Sequence, residues 1–189
     1  MDRSQHLNIR YAAQVIQQGG VVAYPTEAVW GLGCDPANEA AVQRLLELKQ
    51  RPVEKGLILL AADESMVAPY LAALSDAQRQ TLSDSWPGPN TWVIPEMSER
   101  VPAWVRGRFS SVAIRVTAHP WAAALSRAFG GPIVSTSANP TGSAAALVES
   151  QVKRYFQTRI DHICVGAVGG NSQPSIIRDL QTGAVIRGA

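Results

Sequence analysis

The segment Asn38-Glu39-Ala40-Ala41-Val42-Gln43-Arg44-Leu45-Leu46-Glu47-Leu48-Lys49-Gln50-Arg51-Pro52-Val53-Glu54-Lys55-Gly56-Leu57-Ile58-Leu59-Leu60-Ala61 joins a helix, a cluster of cations and a strand in one run. Asn38 can cap the helix, Glu39 suits its first turn, and Val42, Leu45, Leu46 and Lys49 recur at the spacing of one helical face. At about 100° per residue, Lys49 lies within roughly 20° of Val42. Its stem should therefore run along the core edge, with its ammonium emerging above. Pro52 is expected to end the helix, which then covers 38 to 51. The apolar run 57 to 61 leaves the junction as a buried strand. Only three lysines accompany fourteen arginines, and two of the three stand between Lys49 and Gly56. Lysine is thus not the default surface charge here. Basic residues in a last turn complement the helix dipole, worth roughly 0.3–1 kcal/mol each. They can equally hold an anion, and the stretch alone supports both readings.

Outward from this junction, helix and strand alternate. Ile9, Ala12, Ala13 and Ile16 give helical spacing between Leu7 and Gln18, stopped by Gly19-Gly20. Val21 to Tyr24 reads as a buried strand closed by Pro25-Thr26-Glu27. Gly31-Leu32-Gly33 is not a dinucleotide fingerprint, because Pro36 takes the third glycine's place. Helices are expected at 64–73, 76–85, 119–129 and 147–155, and strands at 57–61, 92–95, 112–116, 132–134 and 162–165, with the segment 174–179 completing the domain. Residues 183–187 read as an edge strand of a terminal hairpin. The short spacings predict an α/β domain of the mixed α+β kind, with a mixed rather than purely parallel sheet. The chain has 189 residues, within the range of one domain, and no repeat or linker interrupts it, so 1–189 is expected to form one domain.

Composition narrows the class. Hydrophobic residues make up 46% and charged residues 17%, as in an ordinary globular protein, and a net charge of +2 does not describe a nucleic-acid-coating protein. Cys34 and Cys164 stand apart and the three histidines are scattered, so no disulfide framework or zinc site is expected. The N-terminus lacks the apolar core of a signal peptide and no apolar run could span a bilayer, which points to a cytoplasmic protein without a membrane partner.

Several polar clusters could carry chemistry. Thr26 and Glu27 sit at a strand end, where open sheets expose ligand crevices, although Thr26 also suits a turn or cap. Trp86-Pro87-Gly88-Pro89-Asn90-Thr91 is a rigid turn that could present Thr91. Arg100, Arg106 and Arg108, with Trp104 and Phe109, could meet RNA phosphates and bases or could be solvated loop residues. Arg115 interrupts an apolar strand and needs an anionic partner, from the protein or from a ligand. Ser135-Thr136-Ser137-Ala138-Asn139 ends a buried strand with hydroxyls that could cradle a phosphate or cap a loop. No Walker sequence is present. No histidine falls within any of these clusters.

The clusters in their order, Pro25-Thr26-Glu27, Lys49-Gln50-Arg51-Pro52, Pro87 to Thr91, Arg115, Ser135 to Asn139 and Pro174-Ser175, resemble the L-threonylcarbamoyladenylate synthases of the YrdC/TsaC type over nearly the whole chain. The resemblance implies a three-layer YrdC-like fold, a twisted mixed β-sheet flanked by helices around a positively lined cavity. It implies synthesis of threonylcarbamoyl-AMP and pyrophosphate from L-threonine, bicarbonate and ATP. Downstream proteins would transfer the threonylcarbamoyl group to tRNA. It makes Lys49 and Arg51 the catalytic cations and assigns the nucleotide to Lys49, Arg51, Lys55, Thr91, Ser137 and Asn139. Threonine would fall to Thr26, Arg115, Ser135 and Ser175. Mg²⁺ is expected with ATP, without an assigned protein ligand. The sequence stops at Ala189 without the further domain of longer members, so closure of the cavity is expected from loops or partners. The alternative is an RNA-binding factor acting on tRNA or ribosomal RNA precursors without adenylate synthesis.

Overall fold

The structure is a computed structural model and describes residues 3–95, 100–171 and 173–187. The strands are β1 (Val22–Pro25), β2 (Trp30–Gly33), β3 (Ile58–Ala61), β4 (Asn90–Pro95), β5 (Ser111–Val116), β6 (Ile133–Ser137), β7 (His162–Ile163), β8 (Ile176–Asp179) and β9 (Val185–Arg187). The α-helices are α1 (Arg3–Gln17), α2 (Glu39–Lys49), α3 (Asp76–Ser83), α4 (Ala103–Arg106), α5 (Pro120–Phe129) and α6 (Glu149–Phe156). Among the described residues, the nine strands join one sheet in the order β7-β1-β2-β6-β3-β5-β4-β8-β9. The sheet is mixed, as the short spacings require: β1/β7, β3/β5 and β4/β8 are parallel, and the other pairs are antiparallel.

The alternation of side chains along β5 shows how the layers divide. Val112, Ile114 and Val116 point into a core shared with Leu45 and Leu46 of α2, Val105 of α4 and Val152 of α6. Ser111, Ala113 and Arg115 face the other way. On that second face α1 and α5 cover only one end of the sheet, packing on Val22, Tyr24, Leu60 and Ile133. Among the described residues no helix covers the face beyond them. Ser135, Ile58, Ala113, Val93 and Asp179 are register neighbours in one row across five strands, and all five line the same cavity. A half-covered sheet face thus becomes its floor.

Several elements differ from the sequence reading. The helix after Asn38 stops at Lys49 rather than at Pro52. Gln50 takes the left-handed conformation at φ 50° and donates its N–H to Glu47, while Arg51 N–H closes on Leu46. These caps satisfy the last carbonyls before proline is reached. Gly31-Leu32-Gly33 belongs to β2, a strand not anticipated because two of its four residues are glycines. The helix expected at 64–73 is a 3-10 segment, Glu64–Tyr70, with Pro69 inside it. The arginine-aromatic loop contains the short helix α4. Thr91 lies within β4, not on the preceding turn.

Candidate active site

The bare face opens into a cavity of about 530 Å³. Nine of the ten residues assigned by resemblance line it: Thr26, Lys49, Arg51, Lys55, Arg115, Ser135, Ser137, Asn139 and Ser175. Thr91 does not. It is fully buried, and its hydroxyl donates to Ser175 Oγ at 2.9 Å, so it stands behind the lining.

Lys49 is 3% exposed, as its place on the apolar stripe requires. Its ammonium, however, does not stand free above the core. It donates to Ser137 O at 2.5 Å and Asn139 O at 2.8 Å, and Thr141 N–H returns to Lys49 O at 2.7 Å. Lys49 therefore clasps the loop after β6 to the end of α2. Burial and the neighbouring Arg51 charge push its pKa down to about 8. Arg51 donates to Gly56 O at 2.9 Å and to Lys55 O at 3.3 Å, which bends the junction around its own guanidinium.

Two cations missed by the sequence reading also line the cavity. The sequence reads Arg106 as a loop residue, RNA-contacting or solvated, and Arg187 as part of an edge strand. Burial and then Arg187 lower the Arg51 pKa, which sets these two charges in one field. Arg51 Nε, Arg106 Nε and Asn139 Oδ1 are buried without a hydrogen-bond partner among the described residues. Orphaned buried groups cost about 1–3 kcal/mol each, and an anion would relieve the two guanidiniums. Asn139 Nδ2 is committed to Ser143 O at 2.7 Å and Pro140 O at 3.1 Å, which leaves its carbonyl as an acceptor.

The other end of the cavity has a different electrostatic character. Arg115, anticipated to need an anion, pairs with Glu27, and both side chains are about nine-tenths buried. Arg115 Nε donates to Gly88 O at 3.3 Å. Glu27 Oε1 accepts from Thr117 Oγ1 at 2.7 Å and Ala118 N at 3.1 Å. Burial alone would raise the Glu27 pKa, but the Arg115 charge and these hydrogen bonds outweigh it and hold the carboxyl below its ordinary value. A carboxylate so engaged is a poor proton acceptor. His119 stands close by, 6% exposed and held neutral chiefly by burial, with Nδ1 unpartnered among the described residues. It is not among the lining residues, so the cluster gains a histidine without a catalytic base.

Thr26 is partly a turn residue, since its Oγ1 donates to Val29 O at 2.7 Å, yet it also lines the cavity. The turn after β7 closes over this corner through Gly169 N–H to Thr26 O at 2.9 Å and Asn171 N–H to Glu27 O at 3.2 Å. A Cβ on Gly169 would come within 2.7 Å of Glu27 O, so only glycine permits this approach.

No group of three potential metal ligands occurs among the described residues. Among the described residues, Glu27 and Asp179 are the carboxylates of the lining. Glu27 is paired, and Asp179 Oδ1 is occupied by Gln181 N, Thr182 N and Thr182 Oγ1. The lining fits a magnesium ion carried by nucleotide phosphates better than one caged by protein. Among the described residues no helix is long and apolar enough to cross a membrane.

The family model described as Telomere recombination, for Sua5, YciO and YrdC, matches residues 14–189. A threonylcarbamoyl-AMP synthase of Cellvibrio japonicus is 54% identical over 99% of this chain and 98% of its own length. That of Halorhodospira halophila is 56% identical over 95% and 93%. Among solved structures, P. abyssi Sua5 complexed with L-threonine superposes with a TM-score of 0.89 at 33% identity, covering 96% of this chain. The present chain spans about half of that longer protein, 54%. E. coli YciO superposes with a TM-score of 0.81 at 27% identity, covering 97% and 89%. A half-bare mixed sheet, a cation-rich cavity on it and these matches lead to one conclusion: the chain belongs to the Sua5/YciO/YrdC family.

Proposed function

We propose that the cavity makes L-threonylcarbamoyladenylate and pyrophosphate from L-threonine, bicarbonate and ATP. The observation that carries this reading is the division of the cavity into a cationic end and an ion-paired end. Lys49, Arg51, Lys55, Arg106 and Arg187 form the first, and Arg115 with Glu27 forms the second. A triphosphate suits the cations, and an amino acid suits the paired end.

The threonine amine attacks bicarbonate with loss of water and gives a carbamate. A carbamate oxygen then bonds to the α-phosphorus of ATP while the bond to the β-phosphate oxygen breaks and pyrophosphate leaves. Charge grows on the leaving group, and cations preorganised in a partly dry site stabilise it without rearranging. Two unit charges about 4 Å apart interact by ~4 kcal/mol at an effective dielectric of about 20, so a few such contacts matter. Arg51 and Lys55, with Arg106 and Arg187, supply that field. Lys49 adds its charge while holding Ser137 and Asn139 in place. Magnesium bound to the phosphates would supply further charge neutralisation. Arg115, locked by Glu27, presents its guanidinium to the threonine carboxylate, flanked by Thr26, Ser135 and Ser175. The product is a reactive mixed anhydride, consumed by proteins that transfer the threonylcarbamoyl group to tRNA.

The test is direct. Incubation with ATP, bicarbonate and threonine should release pyrophosphate, and omission of threonine or bicarbonate should abolish release. Release independent of threonine would overturn the reading.

A further inference from the structure

Two hydroxyls on the cavity wall are backed by two more that never meet solvent. Ser135 and Ser175 line the cavity. Behind Ser135 stands Tyr24, fully buried, whose O–H donates to Ser135 Oγ at 2.8 Å. Behind Ser175 stands Thr91, also fully buried, whose O–H donates to Ser175 Oγ at 2.9 Å. Each backing hydroxyl has only that side-chain partner among the described residues. If either serine donated backwards instead, a phenolic or threonyl proton would be buried without an acceptor. The direction of both bonds is therefore forced, and each serine proton is left to point into the cavity. Burial raises the Tyr24 pKa well above its ordinary value, so the phenol stays protonated and keeps donating.

The glycines of β2 serve this arrangement. A Cβ on Gly33 would stand 2.6 Å from Val134 O and 2.9 Å from Tyr24 Cε1, and one on Gly31 would stand 3.2 Å from Tyr24 Cζ. The Gly31-Leu32-Gly33 pattern, which binds no dinucleotide, makes room for the Tyr24 ring on the cavity face of the sheet.

We infer that Tyr24 and Thr91 are positioning residues that fix Ser135 and Ser175 as donors, so that this wall takes a ligand offering only acceptors, the carboxylate of threonine. An uncharged carboxamide offers the two serine protons one acceptor oxygen instead of two and turns an N–H toward one serine, whose oxygen keeps a single free lone pair after accepting from its backing hydroxyl, so the amide is held less tightly. The inference rests on the synthase reading.

Tyr24→Phe and Thr91→Val keep shape and remove the backing proton. Pyrophosphate release should be measured with L-threonine and with L-threonine amide, together with the KM for ATP and the thermal midpoint. With either serine free to turn and accept, discrimination against the amide in kcat/KM is expected to fall about tenfold in each variant, with the KM for ATP unchanged. Thr91→Ser, which restores the proton, should return discrimination to the wild-type value. An unchanged ratio with a lowered thermal midpoint would reduce Tyr24 and Thr91 to packing residues and overturn the inference. A raised KM for ATP at an unchanged ratio would place the serines against the nucleotide and overturn it as well. Wild-type release that needs no threonine would instead remove the synthase reading itself.

Discussion

Lys49 spends two of its three ammonium protons on backbone carbonyls of the loop that carries Ser137 and Asn139. Its replacement by alanine should therefore weaken nucleotide binding by about 1.5–3 kcal/mol, the worth of a charge-assisted hydrogen bond, against the 0–1 kcal/mol or so of a surface pair. Equilibrium titration with ATP would read this, and unchanged affinity would return Lys49 to dipole complementation. Its pKa of about 8 adds a pH dependence. The ammonium is charged below that value, and bound phosphates favour the charged form and raise the pKa. Affinity should hold below pH 8, fall as pH rises through it, and be accompanied by proton uptake on binding, visible as buffer-dependent heats. Glu27 behaves oppositely. Its folded pKa lies below the ordinary 4.5, so its contribution to stability is complete above that value and is lost as pH falls through the lowered one. Glu27→Ala leaves the Arg115 charge buried and unpaired, and denaturant unfolding should show a loss of about 3–5 kcal/mol.

At the level of elements, the hairpin of β1 and β2 is the most sensitive point. Gly33→Ala would press a methyl against Val134 O and the Tyr24 ring. Overpacking of this kind costs about 1–3 kcal/mol, and because the ring backs Ser135 the variant should also lose affinity for threonine. Calorimetry and threonine KM would measure the two effects. Regular apolar spacing made α1 and α2 legible, and short apolar runs made β1, β3, β4, β5 and β6 legible, because those side chains are buried in the core. β2 escaped because two glycines of its four residues carry no pattern, and the 3-10 turn at 64–70 because its polarity reads like a helix until Pro69 is weighed. Helix α2 ended early because Gln50 could adopt a left-handed cap, a choice that side-chain pattern does not encode.

For the molecule as a whole, charge is concentrated rather than spread. Among the described residues, six of seventeen basic side chains and two of twelve acidic ones line the cavity, leaving eleven and ten elsewhere, so the lining is net +4 and the rest only +1. Such a distribution suits a small polyanion in a cleft and not a nucleic acid draped over the surface. A gel-shift titration with tRNA should accordingly show only weak, salt-sensitive binding, and a salt-resistant complex would reopen the RNA-binding alternative. Arg106 and Phe109, which the sequence reads as RNA contacts or solvated loop residues, face the cavity, while Arg108 lies over the Phe109 ring at 5.4 Å.

The sequence by itself determined the mixed α/β architecture, the burial of the Lys49 stem and the need of Arg115 for an anion, because periodicity and the cost of burying charge are local properties. The tertiary structure alone decided which groups meet. It assigned Glu27 to Arg115, gave the Lys49 ammonium to two carbonyls, moved Thr91 behind Ser175, and brought Arg106 and Arg187 to the cavity. Those outcomes depend on strand order and register, which place residues far apart in sequence within hydrogen-bond reach and which no single stretch records.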